Sequence, residues 1–258
     1  MTPRHFARYV ALGDSTTEGL DDPDGAGGYR GWANRLAERV AAQQGSLEYA
    51  NLGVRGWCAR RIREEQLGPA LALRPDLATV VAGMNDLLRA SFDARAIADD
   101  IGAMQRALVD RGCVVLTFTL PDISHRLAPP PLDRLLAMRT HALDDEIRRV
   151  SAASGAILLD LAAYPLAADP RMWSRDRLHA NSEGHARTAA GLAQALGIPG
   201  SDDSWLDPPP DPPPTPPHRR LAEHLTWGRQ YLLPWLWKRA RGVSEHHAPK
   251  RPSLTQVT

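Results

Sequence analysis

Two hydrophobic patterns alternate along this chain: short runs of consecutive apolar residues, and longer stretches in which apolar positions recur every three to four residues. The first is the signature of a strand buried on both faces and the second that of a helix with one covered side. Runs over 9–12, 47–52, 77–82, 113–120 and 156–161 predict five strands; Gly13, Gly53 and Gly83 close the first three and Pro121 stops the fourth. Between them 29–44, with Trp32, Leu36 and Val40 at helical spacing, 58–73, 94–109 and 133–151 predict helices, and 182–196 predicts a closing amphipathic helix. Gly68-Pro69 is expected to interrupt the second of these. Residues 162–180 show no period. The alternation predicts an α/β fold, a five-stranded parallel sheet with helices on both faces.

The pattern stops after Ile198. Eight of the eleven residues 207–217 are proline, which excludes a core element and predicts a semi-rigid linker of about 30 Å. Beyond it Leu221, Leu225, Leu232 and Trp235 recur at helical spacing among Arg219, Arg220, Arg229, Lys238, Arg239 and Arg241, with Pro234 breaking or kinking the segment. The expected division is a folded domain over 1–198, a proline-rich linker over 199–218, and a basic aromatic helix with a tail over 219–258, disordered from His246 onward. Four of the seven tryptophans, Trp205, Trp227, Trp235 and Trp237, fall beyond 198. A basic amphipathic stretch can lie in a membrane interface. The narrow apolar stripe, Pro234 and the reach of the linker favour docking on the chain's own domain or in a dimer.

Composition changes this picture little. A chain of 258 residues with 43% apolar content buries one good core. A formal net charge of +1 gives no reason to expect a nucleic-acid partner. Cys58 and Cys113 have no metal-ligand spacing, so two inert thiols are expected rather than a disulfide framework or zinc site. Residues 1–8 are short and polar, unlike a signal peptide, and no apolar stretch approaches the length of a membrane span, so a soluble, cytoplasmic protein is expected.

The strand ends carry the candidate chemistry. Gly13-Asp14-Ser15 follows the first strand and lifts the Ser15 hydroxyl to the carboxyl edge of the sheet, where open α/β folds bind ligands. Ser15 with Glu18 also fits a helix capping box, against which Thr16, Thr17 and Gly19 count as poor helix formers. Gly53 ends the second strand, Gly83-Met84-Asn85-Asp86 ends the third, and Asp176-Arg177-Leu178-His179 lies in the last loop. Taken singly, Gly53 is an ordinary turn residue, Asn85-Asp86 a helix cap, and His179 and His185 surface histidines beside the last helix, which is the reading adopted for His185. Together they fill the four roles of acyl transfer. Ser15 would attack, His179 act as general base and then acid, and Asp176 fix its tautomer; the N–H groups of Ser15 and Gly53 and the Asn85 amide would hold the oxyanion.

These blocks, in this order, resemble the SGNH or GDSL-type hydrolases over residues 9–196, with Thr16 standing where the name-giving pattern has leucine. The resemblance implies a flavodoxin-like three-layer α/β/α sandwich, a serine esterase acting on carboxylic acyl esters through an acyl-enzyme, and no metal or organic cofactor. By it Ser15, Gly53, Asn85 and His179 are the defining positions and Asp176 the third triad member. Thioesterases, carbohydrate deacetylases and acyltransferases share such a site. Two rivals differ in kind: a metal-dependent phosphoesterase using Asp14, Asn85 and His179, which lacks ligand spacing, and a non-catalytic binding module, disfavoured because every triad position is filled. Substrate-lining loops are expected at 21–31, at 121–131 with Ile123 and His125, and at Met172-Trp173.

Overall fold

The computed structural model describes residues 4–211, 216–234, 237 and 247–258. Strands β1 (Arg8–Gly13), β2 (Leu47–Asn51), β3 (Leu77–Val81), β4 (Val114–Phe118) and β5 (Ile157–Leu159) are parallel, and a sixth, β6 (Thr255–Val257), runs antiparallel to β2 at the edge, giving the order β5-β4-β3-β1-β2-β6. The chain steps from β1 to one neighbour, β2, and then crosses to the other, β3. This reversal of strand order creates a crevice at the carboxyl ends of the central strands, where flavodoxin-like folds bind ligands. The segments after β1, β2 and β3 therefore meet there. β6 corrects the expectation of a disordered tail: its backbone pairs Leu47 with Val257 and Tyr49 with Thr255, covering what would be an open sheet edge.

Successive strand residues face opposite layers, so Val10 and Leu12 join one core and Tyr9 and Ala11 the other. On the first face lie α3 (Ala59–Ala72), α5 (Ala94–Val109) and α7 (Leu132–Ser154); on the second lie α2 (Gly31–Gln44) and α8 (Ser182–Leu196). α3 runs through Pro69 instead of breaking there. Proline removes one N–H donor, and so close to the helix end that loss is local. β5 is shorter than predicted because Asp160 leaves the sheet to accept hydrogen bonds from Arg148 and Thr119.

The packed body extends past residue 198. Trp205 is 6% exposed, meets Tyr164 edge to face with 5.1 Å between ring centroids, and donates its indole N–H to Gln194. Arg187 clasps the carbonyls of Trp205 and Asp207, and Arg171 those of Pro209 and Pro210. Helix α9 (Pro217–Trp227) is followed by a π-turn over Gly228–Leu232, and the backbone stays helical through Pro234; Trp235 lies outside the described residues, as do Lys238, Arg239 and Arg241. Among the described residues no helix is long and apolar enough to cross a membrane.

Candidate active site

β1 delivers Ser15 as expected, and the turn after it decides what its hydroxyl does. One helical turn, α1 (Ser15–Glu18), follows the strand, and Asp14 is its N-cap: the carboxylate accepts the Thr16 N–H at 2.9 Å. The cap is therefore Asp14 and not Ser15, which leaves the serine Oγ available. That Oγ lies 2.9 Å from His179 Nε2, and His179 Nδ1 lies 2.5 Å from Asp176 Oδ2. His179 follows β5, three strands from β1, a separation of roughly 14 Å at the usual strand spacing. Three short 3-10 turns, Leu161–Ala163, Pro165–Ala168 and Pro170–Met172, carry the chain back, and Asn181 then caps α8. The stretch without a hydrophobic period thus returns the histidine to the crevice.

Asp176 is held on every side. Its Oδ1 accepts the backbone N–H groups of Leu178 and His179 and the hydroxyl of Ser174, whose oxygen is also 2.6 Å from Asp21 on the loop after α1. Burial raises the Asp176 pKa, but the bonds and charge of His179 outweigh it and hold the carboxyl well below its usual range. For His179 burial favours the neutral ring, and Asp176 more than offsets this, so its pKa stands above the ordinary value.

Gly53 and Asn85 also reach the site. Gly53 lies so close to α1 that a Cβ there would come within 2.6 Å of the Glu18 nitrogen, so only glycine fits. Its N–H is engaged by Asn51 Oδ1 at 2.9 Å. Asn85, on the single turn α4 (Met84–Leu87), donates both amide hydrogens, to Asp14 Oδ2 at 3.0 Å and to the Trp57 carbonyl at 3.1 Å. Asp14 is 1% exposed, and burial pushes its pKa up to about 6 against the lowering effect of the Thr16 N–H. Asp86 is a cap across space, accepting the Ala59 N–H at the start of α3.

His185 corrects the sequence reading. It is 1% exposed, its Nδ1 accepts the Trp32 N–H, and its Nε2 faces the Leu20 carbonyl at 3.0 Å, so this neutral ring ties α8 to α2 and to the loop after α1. Its partners lie more than 150 residues away and leave no local signal. A largely apolar cavity of about 60 Å³ reaches Thr16, the residue after Ser15, and is lined also by Met84, Pro121, Leu178, Met172 and Trp173 among others. A smaller one, about 20 Å³, shares Met84, Pro121 and Leu178 and reaches Ile123. Among the described residues Asp21, Asp176 and His179 form the group whose ligand atoms all lie within 4.8 Å of one another, but those atoms are turned to each other, to Ser174 and to Ser15. Cys58 and Cys113 are free thiols whose pKa burial pushes up to about 11 and about 12.

A serine, a histidine and an aspartate in hydrogen-bonded series at the switch point of a flavodoxin-like sheet define a class, the α/β proteins built like serine hydrolases. Residues 11–187 match the model of the GDSL-like Lipase/Acylhydrolase family, and the chain belongs to that family and with it to the SGNH-type carboxylic ester hydrolases. Similar solved structures include a lipase/acylhydrolase from Enterococcus faecalis (21% identity, TM-score 0.60, covering 76% of this chain and 99% of that one). A catalytic mutant of an acetylxylan esterase from Geobacillus stearothermophilus is 14% identical with a TM-score of 0.60, covering 79% and 97%. A psychrotrophic esterase from Pseudoalteromonas sp. is 15% identical with a TM-score of 0.58, covering 74% and 96%. These likenesses are in fold. No curated protein sequence matches the chain.

Proposed function

We propose that this chain hydrolyses carboxylic esters of short acyl chains through Ser15, His179 and Asp176. The observation that carries the reading is the unbroken series Ser15 Oγ, His179 Nε2, His179 Nδ1, Asp176 Oδ2, at 2.9 and 2.5 Å. Ser15 attacks the ester carbonyl and passes its proton to His179, which returns it to the leaving alcohol; water then repeats the sequence on the acyl-enzyme. Asp176, kept ionised by its hydrogen bonds, orients the ring and stabilises the imidazolium. The oxyanion is held by the Ser15 N–H, which as the first N–H of a helix has no intrahelical acceptor, and by Gly53 N–H and Asn85, whose protein acceptors it must partly displace.

The acyl group is assigned to the cavity bounded by Thr16, Met84, Pro121 and Leu178, whose walls are apolar and whose volume suits a few carbons. A p-nitrophenyl ester series from acetate to laurate, with acetylated xylan and an acyl thioester alongside, tests this. Turnover is expected to peak between two and six carbons and to disappear in Ser15→Ala. A folded wild-type protein that turns over none of these substrates would overturn the proposal, and a preference for laurate would overturn its acyl assignment.

A further inference from the structure

The turn that carries Asp176 and His179 is touched from outside the segment that matches the family. On α9, the Trp227 indole donates its N–H to the Asp176 carbonyl at 2.9 Å. The guanidinium of Arg177 lies 4.4 Å from the centre of the same ring, and Arg177 Nη1 is 3.0 Å from His224 Nδ1. Arg177 itself sits at φ 68°, a left-handed conformation that a residue with a Cβ holds only when its surroundings impose it. Both Asp176 carboxylate oxygens are already committed within the loop and to His179, and Trp227 takes the remaining acceptor of that residue, its carbonyl. At the start of the loop Arg171 is bound to the carbonyls of Pro209 and Pro210. The extension beyond the family segment thus touches the loop at two points, Arg171 and the 176–177 turn.

We propose that Trp227 is a positioning residue for the triad. Its N–H and its ring together hold the strained 176–177 backbone in the one arrangement that points the Asp176 carboxylate at His179. Stacking of a cation on an aromatic face and a hydrogen bond to a carbonyl are each modest, but both act on the same two residues. The inference rests on the hydrolase reading above. A helix that merely covered surface would contribute to stability without affecting how Asp176 addresses His179.

The test compares wild type, Trp227→Phe and Trp227→Ala as full-length proteins, with kcat taken per titrated active site, KM, and the pH dependence of kcat/KM. Phenylalanine keeps a ring beneath Arg177 and guards the fold; alanine removes ring and donor. The charged and titratable groups around His179 are Asp176, Asp21, Asp14 and His185, and only the first is touched by Trp227. Expected are a kcat lowered about 2- to 10-fold in Trp227→Phe, the factor that corresponds to one hydrogen bond, and by more in Trp227→Ala, at unchanged KM. The acid limb should move to lower pH as Asp176 loosens its hold on the imidazolium. Variants with wild-type kcat and acid limb, or with only a lower active-site titre or Tm, would overturn the positioning role and leave the hydrolase intact. A wild type that neither turns over an ester nor titrates would overturn both.

Discussion

Asn85 has one role that is proposed and one that is structural, and Asn85→Ala separates them. In the proposed mechanism its amide turns to the oxyanion; in the structure it satisfies a carboxylate oxygen of Asp14, which is 1% exposed, and the Trp57 carbonyl. Loss of one oxyanion donor costs about 10²–10³ in kcat. Stranding the two acceptors costs a further ~2–4 kcal/mol of stability, or a Tm lower by about 5–15 °C in a chain of this size. The stability loss has a pH signature. The folded pKa of Asp14, already pushed up to about 6, rises further without its donor, while the unfolded value stays near ~3.9. A raised carboxyl pKa favours the fold most below the unfolded value, and that advantage is lost as pH rises through the folded value. The Tm gap between Asn85→Ala and wild type should therefore be smaller at pH 5 than at pH 8. Initial rates on p-nitrophenyl butyrate with active-site titration, and melting curves at both pH values, measure the two effects separately. A kcat within tenfold of wild type would remove Asn85 from the oxyanion hole. An equal Tm gap at both pH values would show that Asp14 is not the group left stranded.

Other outcomes follow from the same geometry. Because Asp176 raises the pKa of His179, the acid limb of kcat/KM should lie above the ordinary histidine value of about 6.5. Asp176→Asn should lower kcat by about 10³–10⁴ and move that limb to lower pH; a limb that stays in place would mean another group sets the histidine. Trp205→Ala should cost ~3–5 kcal/mol and about 6–20 °C in Tm, since the ring fills the core between Tyr164 and α8. A Tm within roughly 2 °C of wild type would place 199–206 outside the packed body.

The parts of this molecule that were legible in the sequence are those in which local pattern and chemistry coincide. Three apolar runs each end at a glycine, Gly13, Gly53 and Gly83, and the first and third lead into Asp14-Ser15 and Asn85-Asp86, so Ser15, Gly53 and Asn85 could be placed at one crevice from the chain alone. What could not be read depends on partners distant in sequence. His185 has the same pattern as a surface histidine, and only the Trp32 N–H and Leu20 carbonyl make it a buried tie. Thr255–Val257 has no strand-like apolar run, and it pairs because the β2 edge offers it a template. Trp205 lies beyond the break in composition, yet its ring completes the core between Tyr164 and α8. Asp14 and Ser15 are adjacent and both are capable caps, and only the folded geometry shows that Asp14 is the one that accepts the Thr16 N–H.

The central claim is that Ser15 is the activated nucleophile. Full-length protein treated with a fluorophosphonate probe, digested and analysed by mass spectrometry should carry one label, on Ser15, in wild type. Labelling should be much slower in His179→Ala and absent in Ser15→Ala. A folded wild-type protein labelled at another serine, or not labelled at all, would contradict the account.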